Sequence, residues 1–252
     1  MCECNAVKTR GFDRVADVYD ETRSLDRAVM ERIVSRLAER FSGCSFLDVG
    51  VGTGRFAAPI AEAGLEVAGI DVSRLMIERA RAKGVADLVI ADVESVPFVQ
   101  GSFDYALSVH FLHLVRDWRK AVAEMVRVSR RGVVSVVEEP EGVRPRDMYV
   151  ELREGMGFPM SGLKRGERDL ASAVSPSMKE EVARYRKLFR PAELLSEYRA
   201  RLHSVTWDVP EEVNEEIVKR MAEGLGGERV VERSVVLLCW ERERLASLHP
   251  SA

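Results

Sequence analysis

Side-chain amides are almost missing from this chain: Asn5, Gln100 and Asn214 are the only ones. Few thermolabile amides beside many charges fit a thermophile, and a GC-rich genome would favour the abundant arginine equally. Cysteine is scarce too. Cys2, Cys4, Cys44 and Cys239 are scattered, which argues against a disulfide framework and for a reducing, cytoplasmic setting. Cys2 and Cys4 form a C-x-C pair on what reads as a loose tail, and no second pair follows to complete a metal site. No metal is therefore expected. No apolar run approaches the roughly 18 residues that span a bilayer, and the opening MCECNAVKTR has no apolar core of a signal peptide. No membrane partner is expected. Repeats and low-complexity stretches are absent. So is an excess of one charge: the formal net charge is -3 with both signs interspersed. That is the look of a solvated surface, not of a general polyanion binder.

What is present is enough apolar residue, 46% of 252, for one large core. Residues 26–41 space Val29, Ile33, Val34 and Leu37 as one face of a helix. CSFLDV then reads as a short buried strand and RFAAPIAEAG as a helix stopped by Gly64. EVAGID is a second strand. SRLMIERARAKG is a helix with Ser73 as its N-cap and Gly84 as its stop. ADLVIAD and SFDYALSV are further strands, DWRKAVAEMVRVSR a helix and GVVSVVEE a fifth strand. Apolar strands alternating with helices predict a parallel α/β sheet covered on both faces. Residues 141–200 are polar, helix-prone and without a clear strand. LHSVTWDV and RSVVLLCW resume the strand signal, with a helical EEVNEEIVKRMAEG between them. The expected organisation is a single domain over 1–252. Its parts are N-terminal helices over 10–43, a core over 44–140, a helical cap insertion over 141–200 and the last two strands over 201–241.

The stretch FLDVGVGTGRFA places Gly50, Gly52 and Gly54 where a strand turns into a helix. Backbone N–H groups and the helix dipole there suit a polar or anionic ligand, and glycine admits it closely. A dinucleotide fingerprint needs glycine at position 55, where Arg55 stands, and a P-loop needs G-K-[ST]. Asp71 ends the second strand and could accept both hydroxyls of a ribose. Asp92 ends the third, where it could accept from an adenine amino group while the N–H of Val93 meets a ring nitrogen. Val72 and Met76 could sandwich the base. Each acid alone would equally serve as a helix cap.

FLDVGVGTGRFA, VAGIDVS, IADVESVPF, SFDYALSVHFLHLV and VSRRGVVSVVEE resemble, in order and spacing, the successive motifs of class I S-adenosylmethionine-dependent methyltransferases, with the small-molecule type 11 branch the nearest match. The resemblance covers about residues 10–140. It implies a Rossmann-like, doubly wound, three-layer sheet of seven strands whose last runs antiparallel. It also implies S-adenosyl-L-methionine as cofactor, with Asp48, Val49, the three glycines, Asp71, Val72, Met76, Asp92, Val93 and Ser108 around it. Val51 stands where the family often has Cys or Ala. FDRVADVYDETR resembles the family's N-terminal helix, which folds over the cofactor. Tyr19 would cover the sulfonium or donate a hydrogen bond, and Arg23 would pair with the methionine carboxylate. An ordinary amphipathic helix with a surface arginine reads the same way.

Methyl transfer from a sulfonium needs alignment and exclusion of water more than any one residue type. A base is needed only where the acceptor must lose a proton. His110 and His113 follow the fourth strand and could serve, although structural packing is the better reading of His113. Glu138 and Glu139 end the fifth strand, and either could orient an amine, take a proton, or be a solvated strand end. The cap, with MYVELREGMGFPM as an apolar wall, should select a small-molecule acceptor. The blander reading is a lid that touches no substrate. A nucleic-acid or protein acceptor, a nucleotide-linked oxidoreductase and a non-catalytic cofactor-binding protein remain as alternatives. The basic stretches lack the aromatic interleaving of a nucleic-acid track.

Overall fold

A computed structural model of the protein describes residues 12–23, 25–140, 142, 144–160 and 162–248. The C-x-C pair and residues 10–11 of the expected N-terminal helices lie outside the described residues. Seven strands form one sheet in the order β3-β2-β1-β4-β5-β7-β6. They are β1 (Ser45–Val49), β2 (Glu66–Asp71), β3 (Asp87–Ile90), β4 (Phe103–Val109), β5 (Ser129–Pro140), β6 (Met178–Phe189) and β7 (Arg229–Glu241). The first five pair in parallel, and β7 runs antiparallel to both its neighbours. The order reverses between β1 and β4, so a crevice opens at the carboxyl ends of those strands.

Alternation along each strand sends successive side chains to opposite faces. In β1, Phe46 joins one apolar cluster with Ile33 and Leu37 of helix α2 (Arg27–Arg40) and Ile60 of α3 (Ala57–Glu62). Leu47 and Val49 join the other, with Val122 and Met125 of α5 (Trp118–Val128) and Trp240 of β7. Helix α4 (Arg74–Ala82) packs Ile77 and Ala80 into the first cluster. Its start is set by Ser73, whose hydroxyl accepts from the Met76 N–H at 3.2 Å. Before these stands a short helix α1 (Tyr19–Thr22).

Two elements depart from the sequence expectation. β6 lies at 178–189, inside the stretch read as strandless, and 202–209 is not a strand but a loop with one 3-10 turn at Ser204–Thr206. β6 is an edge strand paired on one side only, so its residues alternate charged and half-buried instead of forming an apolar run. Val205 and Val209 look strand-like because they are buried, but their burial is against helices. The cap therefore comes from two connections. Helices α6 (Pro145–Gly155) and α7 (Glu167–Ala173) precede β6; α8 (Pro191–Arg199) and α9 (Glu211–Gly224) follow it. Tyr149, Leu195, Tyr198, Ile217 and Met221 give this cap an apolar cluster of its own. A last short helix, α10 (Arg242–Leu245), packs Leu245 beneath the sheet. Among the described residues no helix is long and apolar enough to cross a membrane.

Candidate functional site

The loop after β1 is held to β2 by its own backbone: the N–H groups of Gly50 and Val51 both donate to the Ile70 carbonyl at 2.9 Å. Gly50, Gly52 and Gly54 have φ of +69°, +55° and +74°, which only glycine adopts without strain. Their surroundings differ. A Cβ on Gly52 would meet nothing nearer than 3.9 Å, so its bare backbone is open floor. A Cβ on Gly50 would fall 2.0 Å from the Phe111 ring, and one on Gly54 would fall 3.0 Å from Ala80 of α4. Gly54 thus serves helix packing.

Asp71 at the end of β2 ties this loop to α4. One carboxylate oxygen accepts from the Gly52 N–H at 3.0 Å and the other from the Ser73 N–H at 2.9 Å. Burial pushes its carboxyl up to about 6, against the pull of the N–H groups of Ser73, Gly52 and Val72. Asp92, just past β3, accepts from the Glu94 N–H at 2.9 Å and so caps the 3-10 turn Val93–Ser95. Asp92 thus fills the capping role, while Asp71 leaves it to Ser73 and ties the glycine loop instead; both acids face a chamber of about 800 Å³, open solvent at its mouth included. Gly50, Gly52, Asp71, Val72 and Met76 line one side of it, Asp92 and Val93 the next, and Tyr19 and Phe12 close it.

Asp48, Val49, Gly54 and Ser108 are not among that lining. Asp48 is buried behind the loop, and burial first, Asp71 second, push its carboxyl up to about 8. Val49 is in the core. The Ser108 hydroxyl donates to Glu167 at 2.7 Å.

The N-terminal segment straps three parts together. Thr53 of the glycine loop donates to Asp20 at 2.6 Å, and Ser73 donates to Asp13 at 2.5 Å. Arg79 of α4 and Lys83 at its C-cap bond Asp17 and Asp20 respectively. On the other side Phe12 meets the Trp207 ring of the cap edge-on at 4.8 Å. Arg23 donates to the Leu202 carbonyl at 2.7 Å and lies 4.4 Å over the Tyr19 ring. It lines a second, larger chamber of about 2230 Å³ beneath the cap, open solvent included, and not the first. Tyr19, Phe12, His110 and Leu114 belong to both chambers and mark where they join.

His110 has φ +52° without being glycine, a strained conformation of the kind that gathers at functional sites. The cap holds it there. Glu167, buried at the start of α7, accepts from the N–H groups of Phe111 at 2.8 Å and Leu112 at 3.0 Å through the oxygen that also takes Ser108. Burial lowers the imidazole below its ordinary value despite the raising fields of Glu138 and Glu167. Of the two glutamates ending β5, Glu138 faces the larger chamber. It takes Arg233 at 2.8 Å and the Tyr185 hydroxyl at 3.2 Å. Burial works to raise its carboxyl, but His110, Arg233 and Tyr185 together hold it below the ordinary value. Glu139, one residue on, takes Lys179 at 3.0 Å and is outside the lining, as the strand's alternation requires. His113 lines the larger chamber and packs against Gly166, where a Cβ would come 3.2 Å from its N–H nitrogen. Phe111 and Glu167 were invisible to sequence reasoning. Phe111 sits in a family-like motif in which the sequence points to Ser108, His110 and His113, and Glu167 is one acid among arginines.

A model for a methyltransferase domain matches residues 47–137. The chain is 36% identical over 134 residues to a demethylmenaquinone methyltransferase of Renibacterium salmoninarum, covering 51% of this chain and 56% of that protein. It is 29% identical over 163 residues to the biotin biosynthesis bifunctional protein BioHC of Cellvibrio japonicus, covering 59% and 32% respectively. The chain thus spans between a third and just over half the length of these curated relatives. The crystal structure of the YcgJ protein from Bacillus subtilis superposes with a TM-score of 0.55 at 17% identity, over 85% of this chain and 99% of that one, a likeness of fold.

Proposed function

We propose, from the match of residues 47–137 to a methyltransferase-domain model, that this protein is a class I S-adenosylmethionine-dependent methyltransferase that moves a methyl group from S-adenosylmethionine to a small-molecule acceptor held under its cap. The observation that carries the reading is the junction of two chambers at Tyr19 and His110, one floored by the glycine loop and one roofed by the cap. When bound, the cofactor supplies an electrophilic methyl on a sulfonium, passed by in-line displacement with a neutral thioether as leaving group.

The residues present fit such a group. The bare floor at Gly52, two carboxylates at successive strand ends and an apolar pair at Val72 and Met76 match a ribose and an adenine. In this reading Asp71 accepts the ribose hydroxyls, and Asp92 with the Val93 N–H holds the base. Tyr19 covers the junction, and Arg23 takes the carboxylate of the methionine end. Asp48, Val49, Gly54 and Ser108 act from behind the wall by fixing the loop and the end of β4. His110 holds or takes the acceptor's proton. Its lowered pKa keeps the ring neutral at pH 7, with Glu138 near enough to stabilise the imidazolium. The strap and the cap exclude water. The setting is a reducing cytoplasm, which the buried free thiols Cys44 and Cys239 suit.

Calorimetry with S-adenosylhomocysteine tests this directly. Binding is expected, with a rise in melting temperature, since ligand at 100 times its Kd adds about 2.7 kcal/mol. Folded protein that gives neither heat nor a thermal shift would rule the reading out.

A further inference from the structure

The larger chamber is cationic in an uneven way. Every acid in its wall is already committed. Glu138 takes Arg233, Glu167 takes Ser108 and two backbone N–H groups, Glu193 takes Arg190 at 3.6 Å, and Glu197 takes His203 at 3.0 Å. Several cations in the same wall have no such partner. Among the described residues Arg144, Arg146, Lys187 and Arg229 make no ion pair with a carboxylate. Arg144 donates only to the Glu138 carbonyl at 2.7 Å, and Arg229 to the carbonyls of Leu225 at 2.7 Å and Gly227 at 3.2 Å. Arg146 donates to the Lys164 carbonyl and leans on the Met160 sulfur at 4.0 Å.

The placement of these cations runs against local preference. Arg144 is the N-cap residue of α6 and Arg146 is in its first turn. That is the positive end of an eleven-residue helix, where a cation is disfavoured and an anion favoured. Arg146 is half-buried, and burial pulls its guanidinium below the ordinary value despite the fields of Tyr198 and Asp147. A desolvated cation whose hydrogen-bond partners are all neutral is costly unless an anion arrives. Across the chamber, antiparallel register puts Lys187 of β6 opposite Val231, and Phe189 opposite Arg229 of β7. Lys187 and Phe189 are two apart, so they share a face, and Arg229 lies 4.5 Å from the Phe189 ring.

We propose that the methyl acceptor carries a phosphate or diphosphate group, bound in the larger chamber by Arg144 and Arg146 from the α6 terminus and by Lys187 and Arg229 from the β6–β7 edge. The rest of the acceptor reaches toward His110. The proposal rests on the methyltransferase reading of the same site. A single carboxylate would engage one guanidinium fork, whereas four cations from two walls match a group of two or three charges.

The test uses the full chain at constant ionic strength. S-adenosylhomocysteine is titrated first, and inorganic pyrophosphate is then titrated into both the free and the loaded protein, with malonate as the carboxylate control. Pyrophosphate is expected to bind at least tenfold more tightly than malonate. Arg146→Gln and Arg144→Gln should each weaken it tenfold or more while leaving the S-adenosylhomocysteine affinity within twofold. Lys187→Gln, an exposed change that leaves the fold alone, should weaken it threefold or more. Pyrophosphate that fails to bind, binds no better than malonate, or ignores all three variants overturns the proposal. Failure of S-adenosylhomocysteine alone, with pyrophosphate still bound through these residues, sinks the methyltransferase reading and leaves the anion site standing.

Discussion

Asp71 shows why one residue can satisfy a bland and a functional reading together. Its two oxygens already accept from Gly52 and Ser73, and a carboxylate has about four lone-pair sites, so two remain for hydroxyls. Asp71→Ala should therefore weaken S-adenosylhomocysteine by about 1.5–3 kcal/mol, and Asp71→Asn by less, since an amide oxygen still accepts. The pH profile separates the roles. The carboxyl is raised to about 6 in the free protein, and the ionised form is the better acceptor. Affinity should then fall as pH drops below 6, by no more than the loss seen in Asp71→Ala, and stay level above it. In Asp71→Asn the profile should be flat over this range. A sloping profile in the variant, or wild-type affinity in Asp71→Ala, would leave Asp71 as a structural tie of the glycine loop only. The acids and glycines were legible in the sequence because strand ends and tight turns need those residue types. Glu167 was not, because its partners are backbone N–H groups 55 and 56 residues away and the Ser108 hydroxyl 59 away. The choice of Glu138 over Glu139 needed only the strand's register, which places neighbours on opposite faces.

Elements were legible in proportion to how much apolar surface they bury on both sides. β1, β4 and β5 are central, and their apolar runs announce them; β6 is at the edge, charged, and bulged between Glu181 and Ala183. The cap was legible as helical but not as two connections that share one core, because the strand that splits it was hidden. Its integrity depends on a side chain that sequence alone reads as surface. Arg153 of α6 is 2% exposed. It donates to the Phe158 carbonyl at 2.7 Å, the Val205 carbonyl at 2.8 Å and both oxygens of Asp208 at 3.0 Å. It clamps the loop at 205–208 to α6. Arg153→Gln should cost about 1–3 kcal/mol, chiefly from buried carbonyls left unpaired. Asp208→Asn should cost less, because that carboxylate is largely exposed and an amide oxygen still accepts, the remaining loss being the buried Arg153 charge left with neutral partners. Urea midpoints of the two variants measure this, and equal losses would mean that the ion pair, not the carbonyl clamp, holds the loop.

At the scale of the molecule, the sheet and the cap are two packed bodies with the N-terminal segment strapped across them. The sheet has cores on both faces, the cap has its own, and a small fourth cluster of Val15, Ala16 and Met76 joins the strap to α4. Leu202 and Trp207 pack on that same cluster from the cap side. The strap's other ties include exposed ion pairs such as Arg79–Asp17 and Lys83–Asp20, which contribute little each, and the part-buried bonds of Thr53 to Asp20 and Ser73 to Asp13. A small apolar contact held mostly by polar bonds, several of them exposed, is the profile of a region that opens locally. Ligand that bridges the glycine loop and Tyr19 adds contacts to the closed arrangement alone, so it should shift the equilibrium toward closure. Hydrogen exchange with and without S-adenosylhomocysteine should show protection rising over 12–23 and 202–209 and in parts of α6 and α8. β4, whose partners β1 and β5 do not change, should exchange alike in both states. Protection confined to the glycine loop, with 12–23 equally slow in both states, would make the strap a fixed part of the fold and remove Tyr19 and Arg23 from any gating role.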